Sequence, residues 1–278
     1  HAKSLVPGLH ALFGMEYGRY DNMHERVFDK NSSERAFEEE VLLVGFGAAP
    51  TKAEGASVTF DSARESYTSR YTMESIVLAY SLTEEAMEDN LYEQMGARYT
   101  KALARSMAHT KQVKAMNVFN NAFSSSFKGG DGVSLSNASH PLASGTTASN
   151  TPATQVDLSE TALENAVIAI HNFTDDRDLP IAVNPRMLLI PIENQFVAER
   201  ILKSDLRSST ADNDLNALKS MGSIPEGYAV NHFLTDTNAW FICTDVPNGL
   251  KHFVRTPMNT SMDGDFDTGN VRYKARER

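Results

Sequence analysis

VLLVGFGAAPTKAEGASVTFDSARESYTSRYTMESIVLAY, residues Val41 to Tyr80, is the stretch whose reading decides the fold. It opens on the apolar run Val41-Leu42-Leu43-Val44 and passes through a Gly- and Pro-containing segment that ends near Gly55. Ala56–Asp61 and Tyr67–Tyr80 are then rich in Thr, Tyr, Val and Ile, the residue types that suit a pleated strand. Lys52, Glu54, Asp61, Arg64, Glu65, Arg70 and Glu74 are scattered through it, so a long hairpin built from this stretch carries charge on both faces. Such a hairpin has little core of its own and must lie on something else. Gly45-Phe46-Gly47 follows a strand as in a dinucleotide fingerprint, but Pro50 takes the place of the third glycine and no helical pattern follows. A flexible joint at the base of the hairpin accounts for the two glycines better.

Before this stretch, the first thirty residues hold three Gly, two Tyr and two Arg without clear periodicity. They read as an extended arm, too short of apolar surface to offset its ordering entropy alone. A short helix is expected next, capped by Ser32 or Ser33, with Glu34 near its positive end. After the hairpin, Ser81 and Glu84 have capping-box spacing and predict one helix from Glu84 to Phe119, roughly 54 Å long at about 1.5 Å per residue. Acids crowd its start (Glu84, Glu85, Glu88, Asp89, Glu93) and bases its second half (Arg98, Lys101, Arg105, Lys111, Lys114), as the helix dipole favours. Met87, Leu91, Met95, Tyr99, Leu103 and Met107 advance by four, so the apolar stripe drifts about 40° per step and meets different neighbours along the helix. Gly96 is its weak point.

Further on, Ser124–Thr154 predicts loops with short strand pieces. Asp157 and Glu160 form a second capping box before a helix with Leu163, Ala166, Val167 and Ile170 on one face. A turn at Asp175–Pro180 leads to short strands at Ile181–Val183 and Met187–Ile190, then a helix over Glu193–Lys203 and strands at Tyr228–Val230 and Ala239–Cys243. Helices and strands mixed without a βαβ rhythm predict an α+β fold.

Bulk properties narrow the function. The net charge of −10 and pI near 5.3 argue against a general nucleic-acid binder, though not against a protein that merely surrounds nucleic acid. Cys243 is the single cysteine, which rules out an intrachain disulfide and reads as a buried thiol beside Trp240 and Phe241. No apolar run reaches the roughly 18 to 20 residues of a membrane span. The chain starts at His1 with no signal-peptide layout and reads as trimmed, processed or partial. Asp263, Asp265 and Asp267 alternate like the start of an EF-hand, yet Thr268 and Lys274 hold the positions that need Gly and Glu. A turn is the better reading there. The eight histidines show no short-range ligand spacing, and no nucleophile elbow exists. Catalytic, cofactor and metal residues are therefore assigned to none.

The run Ser139-His140-Pro141-Leu142 to Asn150, the helix from Leu158, the segment Ala182-Val183-Asn184-Pro185-Arg186-Met187-Leu188-Leu189-Ile190-Pro191 and the later Phe233-Leu234-Thr235-Asp236-Thr237-Asn238-Ala239-Trp240-Phe241 resemble, in that order, tailed-bacteriophage major capsid proteins. The likeness is to the Mu-type major head subunit and its relatives, which share the Hong Kong 97-type capsid fold, and it runs from Val41 to Arg278. It implies an amino arm over 1–40, an extended loop over 41–80, and a peripheral domain over 81–177 with a spine helix at 84–119. An axial domain over 178–246 and a return to the peripheral domain over 247–278 complete the implied layout. Relatives continue with closing strands beyond the point matching Arg278.

The implied function is structural: copies assemble as hexamers and pentamers of an icosahedral head that encloses double-stranded DNA without sequence-specific binding. Scaffold, portal and cement or decoration proteins are the further partners, no membrane is involved, and the place is the virion capsid, assembled in the host cytoplasm. Lys52, Arg64, Arg70 and Glu74 are the expected inter-subunit contacts. Some relatives join subunits through a lysine–asparagine isopeptide bond; Lys52 sits in the right loop, but no asparagine partner or catalysing acid is identifiable, and it reads as solvated or ion-paired. Two alternatives stand beside this: an encapsulin-like compartment shell with the same fold, and an acidic metal-dependent hydrolase using Asp263, Asp265 and nearby histidines.

Overall fold

Leu9, Phe13 and Tyr17 recur every four residues, the spacing of one helix face, and in the computed structural model they lie on α1 (Ala2–Tyr17). The structure describes residues 2–88, 92–207 and 214–278. The amino-terminal segment is thus helical and not an extended arm, although Pro7 and Gly8, two poor helix formers, stand inside it. A 3₁₀ turn at Met23–Arg26 and β1 (Asp29–Ser32) follow. The helix expected after Ser33 does not form. Ser33 donates to Glu38 Oε1 (2.6 Å) and accepts from the Arg35 amide (3.1 Å), a local turn that leads directly into β2 (Phe37–Val44).

β2 pairs with β3 (Arg64–Thr72), and the residues between them have no regular structure beyond a turn at Glu54-Gly55. Gly55 has φ 77° there, a left-handed conformation, whereas Gly45 and Gly47 do not. The expected Ala56–Asp61 strand is absent: every residue from Ala48 to Ser66 is exposed, and no neighbouring strand is offered to it. The Tyr67–Tyr80 strand breaks at Met73–Ser75 into β3 and β4 (Ile76–Leu82).

The long helix is recorded as α2 (Glu84–Glu88) and α3 (Tyr92–Asn120); Leu91 and the junction at 89–91 lie outside the described residues. Thr83, not Ser81, caps the start by accepting from the Ala86 amide (3.3 Å), because Ser81 is committed to β4. On α3 the buried series advancing by four is Gly96, Thr100, Ala104, Ala108, Gln112 and Met116, joined by Leu103, Met107 and Phe119. The buried face therefore does turn around the helix, but Tyr99 of the expected stripe is exposed. β5 (His140–Pro141) and β6 (Thr147–Ala148) form a minimal antiparallel pair in the predicted loop region.

α4 (Glu160–His171) is capped by Ser159, whose hydroxyl accepts from the Ala162 amide (3.2 Å), in place of the predicted Asp157. β7 (Pro185–Ile190) forms as expected from Met187 onward, while Ile181–Val183 is irregular. A 3₁₀ turn at Ile192–Asn194 leads into α5 (Gln195–Lys203). The remaining elements are α6 (Ala217–Ser220), β8 (Tyr228–Val230), β9 (Phe241–Thr244), β10 (Lys251–Val254), β11 (Asn259–Gly264) and β12 (Val271–Glu277).

The chain divides into two compact units. Unit 1 comprises His1–Glu38, Tyr71–Met116 and Gly249–Arg278; unit 2 comprises Glu39–Arg70 and Asn117–Asn248. In unit 1 an antiparallel sheet in the order β11-β12-β4 turns Tyr273 and Ala275 inward, where they meet Leu9 and Phe13 of α1 and Leu103, Ala104 and Met107 of α3. Residues along β12 alternate buried and exposed, the period-2 signature of a sheet with one wet face. β1 runs parallel to β10 in the same unit. In unit 2 the sheet order is β8-β7-β9, with β7 parallel to β8 and antiparallel to β9. Leu188 and Ile190 of β7 pack with Leu163 and Val167 of α4, Ala198 of α5 and Leu218 of α6. Leu163→Ala removes a side chain with no exposed surface from this core. It is expected to lower unfolding stability by about 2 to 5 kcal/mol, read as a lower urea midpoint at unchanged slope.

Candidate assembly surface

The end of β2 and the loop between β2 and β3 leave several large apolar side chains uncovered. Phe60 is 92% exposed, and Leu43, Phe46 and Val58 are exposed over more than half of their surface. Val44 is the only buried residue between Glu34 and Ser81. Exposed apolar groups gathered on one segment, with no core beneath, mark a surface that another molecule covers.

The base of this loop is nevertheless fixed within unit 2. Asp61 accepts from the main-chain amides of Gly47 and Ser62, both at 2.8 Å, and faces Arg177 at 3.6 Å. Those two amides, with Arg177 beside them, hold the Asp61 carboxyl below the usual carboxylate range. Arg177 also donates to the Ser62 carbonyl at 3.2 Å. Arg177 itself sits in the tight turn predicted at Asp175–Pro180: Asp175 Oδ1 accepts from the Arg177 and Leu179 amides, and Asp178 takes φ 60°. β3 also rides close over Gly130, since a Cβ there would meet Ser69 Oγ and lie 3.1 Å from Ser69 Cα. Gly130 is required by that approach, a role not visible from its neighbours in sequence.

The four expected contact residues are placed as follows. Lys52 lies exposed in the irregular part of the loop. Arg64, on β3, donates to the Ala143 carbonyl, and Arg70, also on β3, pairs with Glu39 of β2 at 3.7 Å. Glu74, in unit 1, pairs with Lys114 of α3. Three of the four thus have a partner inside the chain, and the structure does not bring them together as one cluster. The residues that sequence reasoning passed over are the apolar ones, Phe46, Val58 and Phe60; the signal was an apolar side chain in a stretch with no periodicity to bury it.

Other singled-out groups have plain structural partners. Asp265 accepts from Thr268 (2.8 Å) and Arg272 (2.5 Å) in the turn joining β11 to β12, so the alternating aspartates form a braced turn. His140 bonds Asp131 at 2.6 Å. Cys243 is half-buried, and burial pushes its thiol up to about 11. Among the described residues, no group of three or more His, Cys, Asp or Glu side chains is arranged to hold a metal ion.

A family model described as phage capsid protein matches residues 66–278. The chain belongs to the phage capsid protein family. Among solved structures, this capsid protein is similar to the capsid subunit of bacteriophage JBD30, with 12% identity and TM-score 0.57 over 78% of this chain and 92% of that one. It is also similar to the JBD30 procapsid subunit, with 14% identity and TM-score 0.55 over 83% and 99%. A virus-like particle from Pyrococcus furiosus aligns at 12% identity and TM-score 0.56 over 98% and 91%. No curated protein matches the chain at a significant level. At these identities the structural likeness speaks for the fold, which is the Hong Kong 97 type, and the family match makes the chain a structural major capsid protein. The matched range includes Arg70 and Glu74 but not Lys52 or Arg64.

If Arg177 and Asp61 hold the base of the loop, Arg177→Ala should speed proteolytic cleavage within 45–63 several-fold. Far-ultraviolet circular dichroism should stay unchanged, because the site lies outside both hydrophobic cores.

Proposed function

We propose that copies of this capsid protein assemble as hexamers and pentamers of an icosahedral phage head, with the exposed loop of each copy lying over an adjacent one. The single observation that carries this is the run Ala48–Ser66, in which every residue is exposed while Val58 and Phe60 present apolar side chains. A segment of that kind gains its burial only on a partner, and its ordering entropy is offset there. Many such weak contacts repeated around a closed shell give a stable particle through multivalency.

In this reading residues 1–40 are the amino arm, 41–80 the extended loop, 81–177 and 247–278 the peripheral domain, and 178–246 the axial domain. The β8-β7-β9 sheet, which lies wholly within 178–246, supports an axial domain, its core also taking in Leu163 and Val167 of α4. Lys52, Arg64, Arg70 and Glu74 contribute inter-subunit contacts, Lys52 most directly because it is exposed. The particle encloses double-stranded DNA without reading its sequence, meets scaffold, portal and decoration proteins, and is built in the host cytoplasm. The role is structural, with no catalytic step.

A second reading, a protein compartment, has the likeness to the Pyrococcus furiosus particle over 98% of this chain in its favour. The contents of purified particles separate the two: nucleic acid for a phage head, a cargo protein for a compartment. For the loop itself, the decisive variant is Phe60→Asp combined with Lys52→Glu. The variant should fold with an unchanged thermal midpoint and yield no closed shells by electron microscopy. Shells of normal size and number from it would overturn the role assigned to the loop.

A further inference from the structure

Two histidines that stand 228 positions apart in the chain (252 minus 24) meet inside unit 1. His24, in the 3₁₀ turn after α1, has no exposed surface, and its ring meets that of His252 on β10 edge-on at 5.1 Å between centroids. Among the described residues, neither ring nitrogen of His24 nor Nδ1 of His252 has a hydrogen-bond partner. The segment carrying His24 is also held by specific hydrogen bonds and by the buried side chains of Val27 and Phe28. The His24 amide donates to Gln112 Oε1 (3.3 Å), and Gln112 Nε2 donates to the Asp21 carbonyl (3.1 Å). β1 then lies on β10 with Lys30 beside His252, tied at its ends by Asp29 N to Leu250 O (2.8 Å) and Ser33 N to Val254 O (3.1 Å).

We infer that His24 and His252 form a proton-sensitive latch, which holds residues 21–32 against α3 and β10 when both rings are neutral and lets them go on acidification. A neutral imidazole needs a partner for one N–H; an imidazolium needs two acceptors and must also meet its neighbours' charges. Those neighbours are unfavourable. Lys111 on α3 and Lys30 on β1 face the pair, and each ring faces the other. The carboxylates nearby have cationic partners of their own. Glu277 of β12 meets Lys111 (3.1 Å) and the Tyr17 hydroxyl (3.2 Å) through Oε2, its Oε1 having no hydrogen-bond partner among the described residues, and Glu25 pairs with Lys30 (3.6 Å).

Burial, then His24, Lys111 and Lys30, lowers the His252 ring to about 4, with Glu25 opposing. Burial lowers His24 as well, and the Gln112 side chain offsets part of that. A released segment has ordinary imidazoles near 6.5 and so binds more protons than the docked one between about pH 6.5 and 4. Docking is therefore fully present above that window and weakens as pH falls through it.

Hydrogen exchange of the full-length protein, corrected for intrinsic rates, tests this. Between pH 6.5 and 4.5 the amides of residues 21–32 should lose protection by a factor on the order of tens, as one ring shifted from 6.5 to about 4 requires, while amides of β12 change little. The double variant His24→Leu/His252→Phe should show a flat profile over that range. His252→Phe alone, which keeps an aromatic ring edge-on to His24, should remove the share of the response that the His252 ring supplies and leave a clearly smaller one. A flat wild-type profile, an acid response retained in the double variant, or a single variant indistinguishable from wild type would each overturn the latch.

Discussion

A run of main chain that buries none of its own side chains is the constraint on which the structure turns. Ordering a residue costs on the order of 1 to 2 kcal/mol of backbone entropy, and Ala48–Ser66 recovers none of it through burial within the chain. What the chain supplies instead is a fixed base: the Asp61 carboxylate gripped by two amides, Arg177 bridging to Ser62, Arg64 on the Ala143 carbonyl, and β3 seated over Gly130. The base aims the loop, and the exposed Phe46, Val58 and Phe60 give it something to deposit. The result is a rigid root and an uncovered tip on one segment of the chain.

The two units solve their own packing differently. Unit 2 centres on apolar contact, with Leu163, Leu188, Ile190 and Ala198 fully buried, and adds neutral polar ties such as buried Asn216, which donates to the Ile201 and Ser204 carbonyls. Unit 1 mixes apolar contact with buried charge. Lys111 and Glu277 are both largely shielded, and the adjacent Tyr17 hydroxyl is pushed well above the ordinary phenol range by burial and then by Glu277. A buried pair of this kind is worth little against an apolar replacement, but losing one member strands the other. It fixes how α1, α3 and β12 fit together more than it strengthens them.

Much of the layout was legible from residue order, because long periodic segments announce themselves: α3, α4, β7 and the strands at Tyr228 and Phe241 fall where pattern puts them. The misses have physical causes. α1 reads as extended because Pro7 and Gly8, which disfavour a helix interior, stand within it. Caps slid by two residues, from Ser81 to Thr83 and from Asp157 to Ser159, since the competing serine or aspartate had been taken by a strand or a loop. Ala56–Asp61 has strand composition but no partner strand, and composition cannot supply one. The loop's charges were visible and proved mostly satisfied in-house, whereas its bare aromatics, the stronger indication, have no pattern to read. The meeting of His24 with His252 lies wholly beyond local inspection, for only the completed parallel pairing of β1 with β10 brings them together.

That pairing, and the seating of Leu9 and Phe13 against Tyr273 and Ala275, makes unit 1 a patchwork of three distant stretches of chain. Most of unit 2, by contrast, is one continuous run, Asn117–Asn248. During synthesis the continuous run can condense while the ribosome is still working, but the patchwork must wait for β10 and β12 to emerge. A half-made chain therefore carries its bare loop on an unfinished body until β12 has emerged.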